Sequence, residues 1–205
     1  MAQSWYPDKD PVHGFDHILR VVQMSEYLAN AEGADAEISR TAALLHDAED
    51  SNAKNSRAVH HLKSALFARK VLSEHGWSES RIQAVEHCIR AHRFRDNREQ
   101  PQTLEAKILF DADKLDAIGA IGAVRAIGYA INANEFLHSH PSEKFIKSGE
   151  KEDGEPHTPY HEYLFKLSRL KELIYTPAAR ALAEQRHAFL VMFFEQWQAE
   201  LRGDR

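Results

Sequence analysis

The sequence predicts an all-α protein that forms a single domain. Apolar residues recur at three- and four-residue intervals along most of the chain, which is typical of amphipathic helices. The strict alternation of apolar and polar residues that marks a half-buried strand does not stand out in the sequence, and neither does an internal repeat. A length of 205 residues is enough for one domain with its own apolar core. We therefore expect a helical bundle over residues 1–205.

Four helices are predicted in the first half of the chain, each with a recognisable start or stop. Gly33 and Gly76 follow the first and the third, and glycine is favoured directly after a helix. Asp35 precedes the second helix, where its side chain can accept hydrogen bonds from the first turn. The polar segment 49–57 is predicted to be a loop. The four helices cover residues 15–31, 36–46, 59–75 and, starting at Ser78 or Ser80, the segment up to His92.

The second half of the chain is predicted to contain one long helix and two final helices. The long helix covers residues 103–131, and each of the glycines inside it costs about 1 kcal/mol relative to alanine. Small residues at such positions usually permit close packing between helices. The final helices cover 160–174 and 177–201, with Thr176 as the N-cap of the last helix and Pro177 at its first position.

Residues 139–158 interrupt this helical pattern. The segment is rich in proline, glycine and charged residues. Long irregular segments of compact domains often form lids or binding loops, although disordered segments have the same composition. We predict a mobile loop or a lid here, and the composition leaves both alternatives open.

Composition and charge exclude several classes of protein. Lys and Arg total 26 against 31 Asp and Glu, so the basic surface that dominates nucleic-acid binding is not indicated. Hydrophobic residues at 43% and charged residues at 28% are typical of a soluble globular protein and not of a disordered or membrane protein. The single cysteine, Cys88, excludes an internal disulfide, and the first residues lack the apolar stretch of a signal peptide. We therefore expect a reducing, cytoplasmic location.

Four ionisable side chains are predicted to lie on apolar helical faces. His17 belongs to the apolar stripe of the first helix, while His46 and Asp47 end the apolar run of the second. Asp113 lies on the apolar face of the long helix, whereas Asp111 is expected to be more exposed. Burying such groups costs several kcal/mol unless something compensates them. Two imidazoles and two carboxylates from three helices can offset the cost of their burial by converging on one cation.

This mixed set of nitrogen and oxygen donors indicates the class of ion. It suits Mn, Fe, Co, Ni or Zn, and Mg less well. The alternative is that each of the four side chains is satisfied separately by a buried hydrogen bond, which is the usual situation for a lone buried polar group. In that case the protein is a stable helical protein whose histidines are structural.

The ordered set of His17, His46–Asp47 and Asp113 resembles the HD-domain superfamily of metal-dependent phosphohydrolases. The segments that carry the resemblance include HGFDHILRV, AALLHDAED and LEAKILFDADKLDAIGAIGAVRAI. They are most similar to a bacterial subfamily related to predicted nucleotide pyrophosphohydrolases, and the similarity extends over nearly the whole chain. The resemblance implies a helical bundle in which these four residues hold one divalent metal ion, with a nucleotide as the expected substrate.

The resemblance and the local sequence also suggest roles for neighbouring residues. Some branches of the superfamily bind a second metal ion through histidines on the next two helices, where His60, His61 and His92 stand in this chain. A second ion, a phosphate contact and a structural role all stay open for these three. Arg20 and Lys114 adjoin predicted ligands in sequence and are candidate phosphate-binding cations.

A mechanism follows as a hypothesis. The ion lowers the pKa of a bound water and polarises the phosphoryl group, so that the protein needs no nucleophile of its own. Glu49 and Asp50 are candidates to orient or deprotonate that water, and the position of an acid in some relatives selects Asp50. Both could equally be solvated loop charges. We expect a phosphohydrolase that cleaves a phosphoanhydride or a phosphomonoester; the alternative is a non-catalytic nucleotide- or metal-binding regulatory module with the same fold.

Overall fold

The computed structural model describes residues 2–6, 14–49, 60–93 and 99–204, and within these ranges the regular structure is entirely helical. The predicted all-α class is therefore confirmed. No helix in the described ranges has both the length and the hydropathy needed to cross a membrane. The α-helices are α1 (Phe15–Glu32), α2 (Ala36–Leu45), α3 (His60–Glu74), α4 (Glu79–Ala91), α5 (Leu104–Leu115), α6 (Gly119–Asn132), α7 (Glu143–Ser148), α8 (Pro159–Phe165) and α9 (Pro177–Arg202), and the 3-10 helices are Ala2–Trp5 and Leu167–Leu173.

The chain forms two compact units. The first comprises Met1–Asp113 and Tyr175–Ala179, and the second comprises Lys114–Ile174 and Arg180–Arg205. In the first unit α2 is central, because it packs against α1, α3 and α4. The expectation of one domain over residues 1–205 stays a prediction.

The predicted starts and stops of α1 and α2 are confirmed. Gly33 ends α1 in the left-handed conformation, with φ of 74°, and its N–H donates to the carbonyl of Ala29. The Asp35 side chain caps α2 by accepting hydrogen bonds from the N–H groups of Glu37 and Ile38. Because α2 ends at Leu45, His46 and Asp47 stand at the carboxyl end of the central helix of this unit.

The expectation that Asp111 is exposed is wrong. Its side chain is completely buried in the first unit. One carboxylate oxygen accepts a hydrogen bond from the N–H of Tyr175 at 2.8 Å, and the other accepts from the N–H and Oγ1 of Thr176 at 2.8 and 2.7 Å. Asp111 therefore anchors the segment that precedes Pro177, the first residue of α9. Helical spacing did not reveal this because the partners lie 64 and 65 residues away along the chain.

The single long helix predicted over 103–131 is also wrong, because it is divided into α5 and α6. Ile118 is extended, with φ of −126° and ψ of 169°. Gly119 follows with φ of 76°, a conformation that strains any other residue. A Cβ atom at Gly119 would also lie 3.1 Å from Cβ and Cγ of Arg186. The guanidinium of Arg186 donates to the carbonyl of Leu115 at 2.6 Å, so the end of α5 is stabilised where the helix stops.

The predicted helix 160–174 also consists of two pieces, α8 and the 3-10 helix Leu167–Leu173, which pack against each other in the second unit. The predicted start of the last helix at Pro177 is confirmed. Within the second unit, Phe194 of α9 is fully buried and stacks on Tyr163 of α8 with 4.4 Å between ring centroids.

The segment 139–158 contains the short helix α7 and a hydrogen-bonded carboxylate. Glu155 accepts from the N–H and Oγ of Ser142 at 2.7 and 2.8 Å and from the N–H of Glu152 at 2.7 Å. His161 lies 3.0 Å from the same carboxylate. The segment thus has local structure of its own, while its role as a lid stays a prediction.

Candidate metal centre

The first unit brings the four predicted ligands together. His17 lies in the first turn of α1, His46 and Asp47 directly follow α2, and Asp113 lies near the end of α5. Nε2 of His17 is 3.6 Å from Oδ1 of Asp113, and Nε2 of His46 is 3.6 Å from Oδ2 of Asp47. His17, His46 and Asp113 each present one ligand atom within 4.8 Å of the other two. This spacing is suitable for three ligands around one ion.

His92 adds a second, overlapping group. One ligand atom from each of His46, Asp47 and His92 also lies within 4.8 Å of the others. Nε2 of His92 is 3.7 Å from Oδ1 of Asp47, and Nε2 of His60 is 3.4 Å from the same oxygen. His61 is buried, with its ring centroid 5.7 Å from that of His60. Helical spacing did not show which of His60 and His61 faces the site. In the structure it is His60 whose Nε2 lies beside the carboxylate of Asp47.

Backbone carbonyls determine which ring nitrogen of two of these imidazoles carries the proton in the neutral form. Nδ1 of His46 lies 2.7 Å from the carbonyl oxygen of Ala43, and Nδ1 of His92 lies 2.5 Å from that of Ile89. Because a carbonyl oxygen only accepts, the proton of each neutral ring is on Nδ1. Nε2 of each ring then carries the lone pair, which is the form that binds a metal ion. Sequence patterns could not show this, since the partners are backbone atoms.

The buried Nε2 atom of His46 tests whether these residues fit a cation. It makes no hydrogen bond with any part of the chain that the structure describes, although the side chain is fully buried. A buried polar atom in this state costs about 1–3 kcal/mol. A divalent ion would compensate this cost, and imidazole nitrogens with carboxylate oxygens are suitable ligands for it. The residues present therefore fit a divalent metal ion.

The electrostatics of the centre favour the same ligand forms. Burial by itself raises the pKa of Asp47, but the surrounding imidazoles of His46, His92, His60 and His17 outweigh it and hold that pKa well below its usual value. Burial and the neighbouring His46 lower the pKa of His92 to about 3. At neutral pH the centre therefore presents an ionised carboxylate beside a neutral imidazole, the forms required for metal binding.

The remaining candidate residues lie in different surroundings. Glu49 is exposed, and its N–H donates to Oγ of the buried Ser64 at 3.2 Å. Asp50 lies outside the described residues. Arg20 donates to Asp16 at 2.7 Å in a partly exposed ion pair on α1. Lys114 is buried and belongs to the second unit, although it follows Asp113 in sequence. The catalytic and phosphate-binding roles of these four residues stay predictions.

Comparisons with known proteins identify the family and the fold of the chain. The HD-domain family model matches residues 14–118, which include the four predicted ligands. YpgQ of Bacillus subtilis strain 168 is 32% identical over 205 residues, which is 98% of this chain and 91% of YpgQ. The crystal structure of YpgQ in complex with ADP superposes with a TM-score of 0.75 and 29% identity, over 98% of this chain and 97% of that one.

Two further solved structures show the same fold. A protein of Lactobacillus plantarum has a TM-score of 0.77 and 29% identity, over 98% of this chain and 93% of its own. An HD-superfamily hydrolase of Bacillus thuringiensis has a TM-score of 0.68 and 29% identity, over 93% of this chain and 87% of its own. The family match covers more than half of the 205 residues, and the full-length relatives share the helical architecture. The chain therefore belongs to the HD-domain family.

Proposed function

We propose that this protein is a metal-dependent phosphohydrolase that cleaves a phosphoanhydride or phosphomonoester bond of a nucleotide. The observation that carries the proposal is that two overlapping groups of possible ligands, His17–His46–Asp113 and His46–Asp47–His92, lie in one unit and share His46. The buried Nε2 of this shared histidine lacks a hydrogen bond within the described ranges. The chain's similarity to HD-superfamily hydrolases supports the reaction class. The complex of YpgQ with ADP supports a nucleotide as the ligand.

Each group of residues has a distinct part in this proposal. His17, His46, Asp47 and Asp113 would hold a divalent ion, which would lower the pKa of a water molecule and supply positive charge for the phosphoryl group. Mn, Co, Ni, Fe, Zn and Mg are the candidate ions, in keeping with the mixed nitrogen and oxygen ligands.

The imidazoles of His60 and His92, whose Nε2 atoms lie beside Asp47, contact a phosphate oxygen or hold a second ion. The buried His61 stays a candidate for the same two tasks. Lys114 and Arg20 are the candidate cations for the remaining phosphate charge.

Hydrolysis also needs a base close to the attacking water. Glu49 and Asp50 follow the His46–Asp47 pair in sequence and are the candidates to orient or deprotonate that water. The oxygen of the water bonds to phosphorus, the bond from phosphorus to the leaving oxygen breaks, and the leaving group takes up a proton. No covalent bond to the protein is required.

Product analysis tests the proposal. The protein, purified without a polyhistidine tag, is incubated with Mn²⁺, Co²⁺ or Mg²⁺ and a panel of nucleoside mono-, di- and triphosphates. Release of pyrophosphate identifies a pyrophosphohydrolase, and release of orthophosphate from monophosphates identifies a nucleotidase. Bound metal and bound nucleotide without any product would contradict the hydrolase and favour the alternative of a regulatory binding module.

A further inference from the structure

Tyr6 is buried in the first unit, directly after the 3-10 helix Ala2–Trp5. Only 6% of the residue is exposed, and its hydroxyl donates a hydrogen bond to the backbone carbonyl of Leu44. The ring lies against that of Phe15, with 5.5 Å between centroids. Helical spacing in the sequence did not single out Tyr6, since it lies outside the predicted helices.

The hydroxyl contact is made where α2 ends. The last four carbonyls of a helix have no partner inside it and need others. At this end, the carbonyl of Ala43 faces Nδ1 of His46, that of Leu44 accepts from Tyr6, and that of Leu45 accepts from the N–H of Ala48. Among the described residues, Tyr6 therefore joins His46 and Ala48 in satisfying the last carbonyls of α2, at the turn from which His46 and Asp47 project.

The ring contact is made where α1 begins. Phe15 is the first residue of α1 and precedes His17 by two positions. One side chain thus contacts the ends of both helices whose ligand atoms must meet, α1 through Phe15 and α2 through Leu44. The preceding residue, Trp5, packs edge-on against Phe67 of α3 at 5.6 Å, so the segment 2–6 contacts three helices of the unit.

Tyr6 also stays a hydrogen-bond donor over a wide pH range. Burial and the nearby negative charge of Asp47 raise the pKa of its hydroxyl far above the usual value of a tyrosine. The hydroxyl is therefore protonated at neutral pH and can donate to the carbonyl of Leu44.

We propose that Tyr6 is a positioning residue of the metal centre, which holds the His46–Asp47 turn at the distance from His17 that a divalent ion requires. The inference rests on the proposed metal-dependent function and adds a residue outside the ligand set. Loss of the hydroxyl removes none of the four predicted ligands but lets the end of α2, and with it His46 and Asp47, shift relative to His17, so metal affinity falls. Changes in groups that orient metal ligands typically weaken metal affinity about 10- to 100-fold.

The test compares Tyr6→Phe with wild type and with Tyr27→Phe, a matched control whose tyrosine is 55% exposed on α1. Mn²⁺ affinity is measured by calorimetry, and the visible absorption spectrum of the Co²⁺-loaded protein reports the ligand geometry. Circular dichroism of the metal-free variants measures folding separately. We expect Tyr6→Phe to bind Mn²⁺ about 10-fold more weakly and to change the Co²⁺ spectrum, while Tyr27→Phe matches wild type.

The outcomes separate this inference from the proposed function. If wild type binds Mn²⁺ and Tyr6→Phe binds it with the same affinity and an unchanged Co²⁺ spectrum, the role of Tyr6 is refuted. If wild type itself binds no divalent ion, the proposed function fails instead, and the role of Tyr6 with it. Should Tyr6→Phe not fold, Phe15→Leu removes the ring contact but keeps the hydroxyl; it must then weaken Mn²⁺ binding, and wild-type affinity would overturn the proposal.

Discussion

Nε2 of His17 lies 3.6 Å from Oδ1 of Asp113, although one residue is near the start of α1 and the other near the end of α5. The imidazole is almost completely buried, whereas the carboxylate keeps about a fifth of its surface exposed. This relationship makes Asp113 the most informative of the four predicted ligands to change.

Asp113→Asn is expected to abolish nucleotide hydrolysis and to leave a soluble, helical protein. The amide has nearly the same shape as the carboxylate but carries no charge, so it is a poor ligand for a divalent ion. Initial rates with Mn²⁺ measure the loss, and circular dichroism measures helicity. Asp204→Asn, at an exposed position near the C-terminus, is the matched control and should keep the wild-type rate. If Asp113→Asn keeps its activity, Asp113 is not part of the metal site.

Mn²⁺ is expected to raise the unfolding temperature of the wild type. An ion that binds only the folded state stabilises it by about 2.7 kcal/mol at a concentration 100 times its dissociation constant. His46→Gln should show a much smaller increase, because it removes the buried Nε2 atom that lacks a hydrogen bond in the described structure. Thermal unfolding is followed by circular dichroism with Mn²⁺ and with EDTA. Equal stabilisation of both proteins would place the ion elsewhere.

Asp111→Asn is expected to destabilise the first unit without affecting the metal ligands directly. Three donors from Tyr175 and Thr176 point at this buried carboxylate, and an amide has one oxygen fewer to accept them. Hydrogen bonds to a charged group contribute about 1.5–3 kcal/mol each, so the loss should reach that range. Urea unfolding measures it, with the exposed Asp153→Asn as control. A change below about 0.5 kcal/mol would contradict the anchoring role.

The hydrogen bonds of Glu155 predict a contribution to stability that depends on pH. Donation by the backbone of Ser142 lowers its pKa to about 2 in the folded protein, against 4.5 ordinarily, although burial opposes this. The contribution is therefore complete above about pH 4.5 and disappears as the pH falls towards 2. Glu155→Gln should be less stable than wild type at pH 6 in urea unfolding, and the difference should shrink below pH 4.5. A difference independent of pH would contradict this account.

Local spacing was sufficient to predict most helices and to select His17, His46, Asp47 and Asp113. Helical period places a polar residue on an apolar face, and the burial of that residue indicates a partner. The order of these residues along the chain then carries the family resemblance. Helical spacing can identify such residues because the pattern that reveals them lies within a few turns of one helix.

Contacts between distant segments explain what the sequence did not reveal. Asp111 has the helical position of an exposed residue, but Thr176 and its neighbour reach it from the other end of the chain. The break before α6 depends on Gly119 and on Arg186, which contacts it from α9. His60 and His61 are adjacent in sequence, so only the placement of α3 could decide which one meets Asp47.

The most direct test of the metal centre is calorimetric titration of Mn²⁺ into untagged wild type and Asp113→Asn after treatment with EDTA. The centre built from His17, His46, Asp47 and Asp113 predicts saturable binding to wild type and binding more than about 10-fold weaker, or absent, in the variant. Equal binding by the two proteins, or no binding by either, would contradict it.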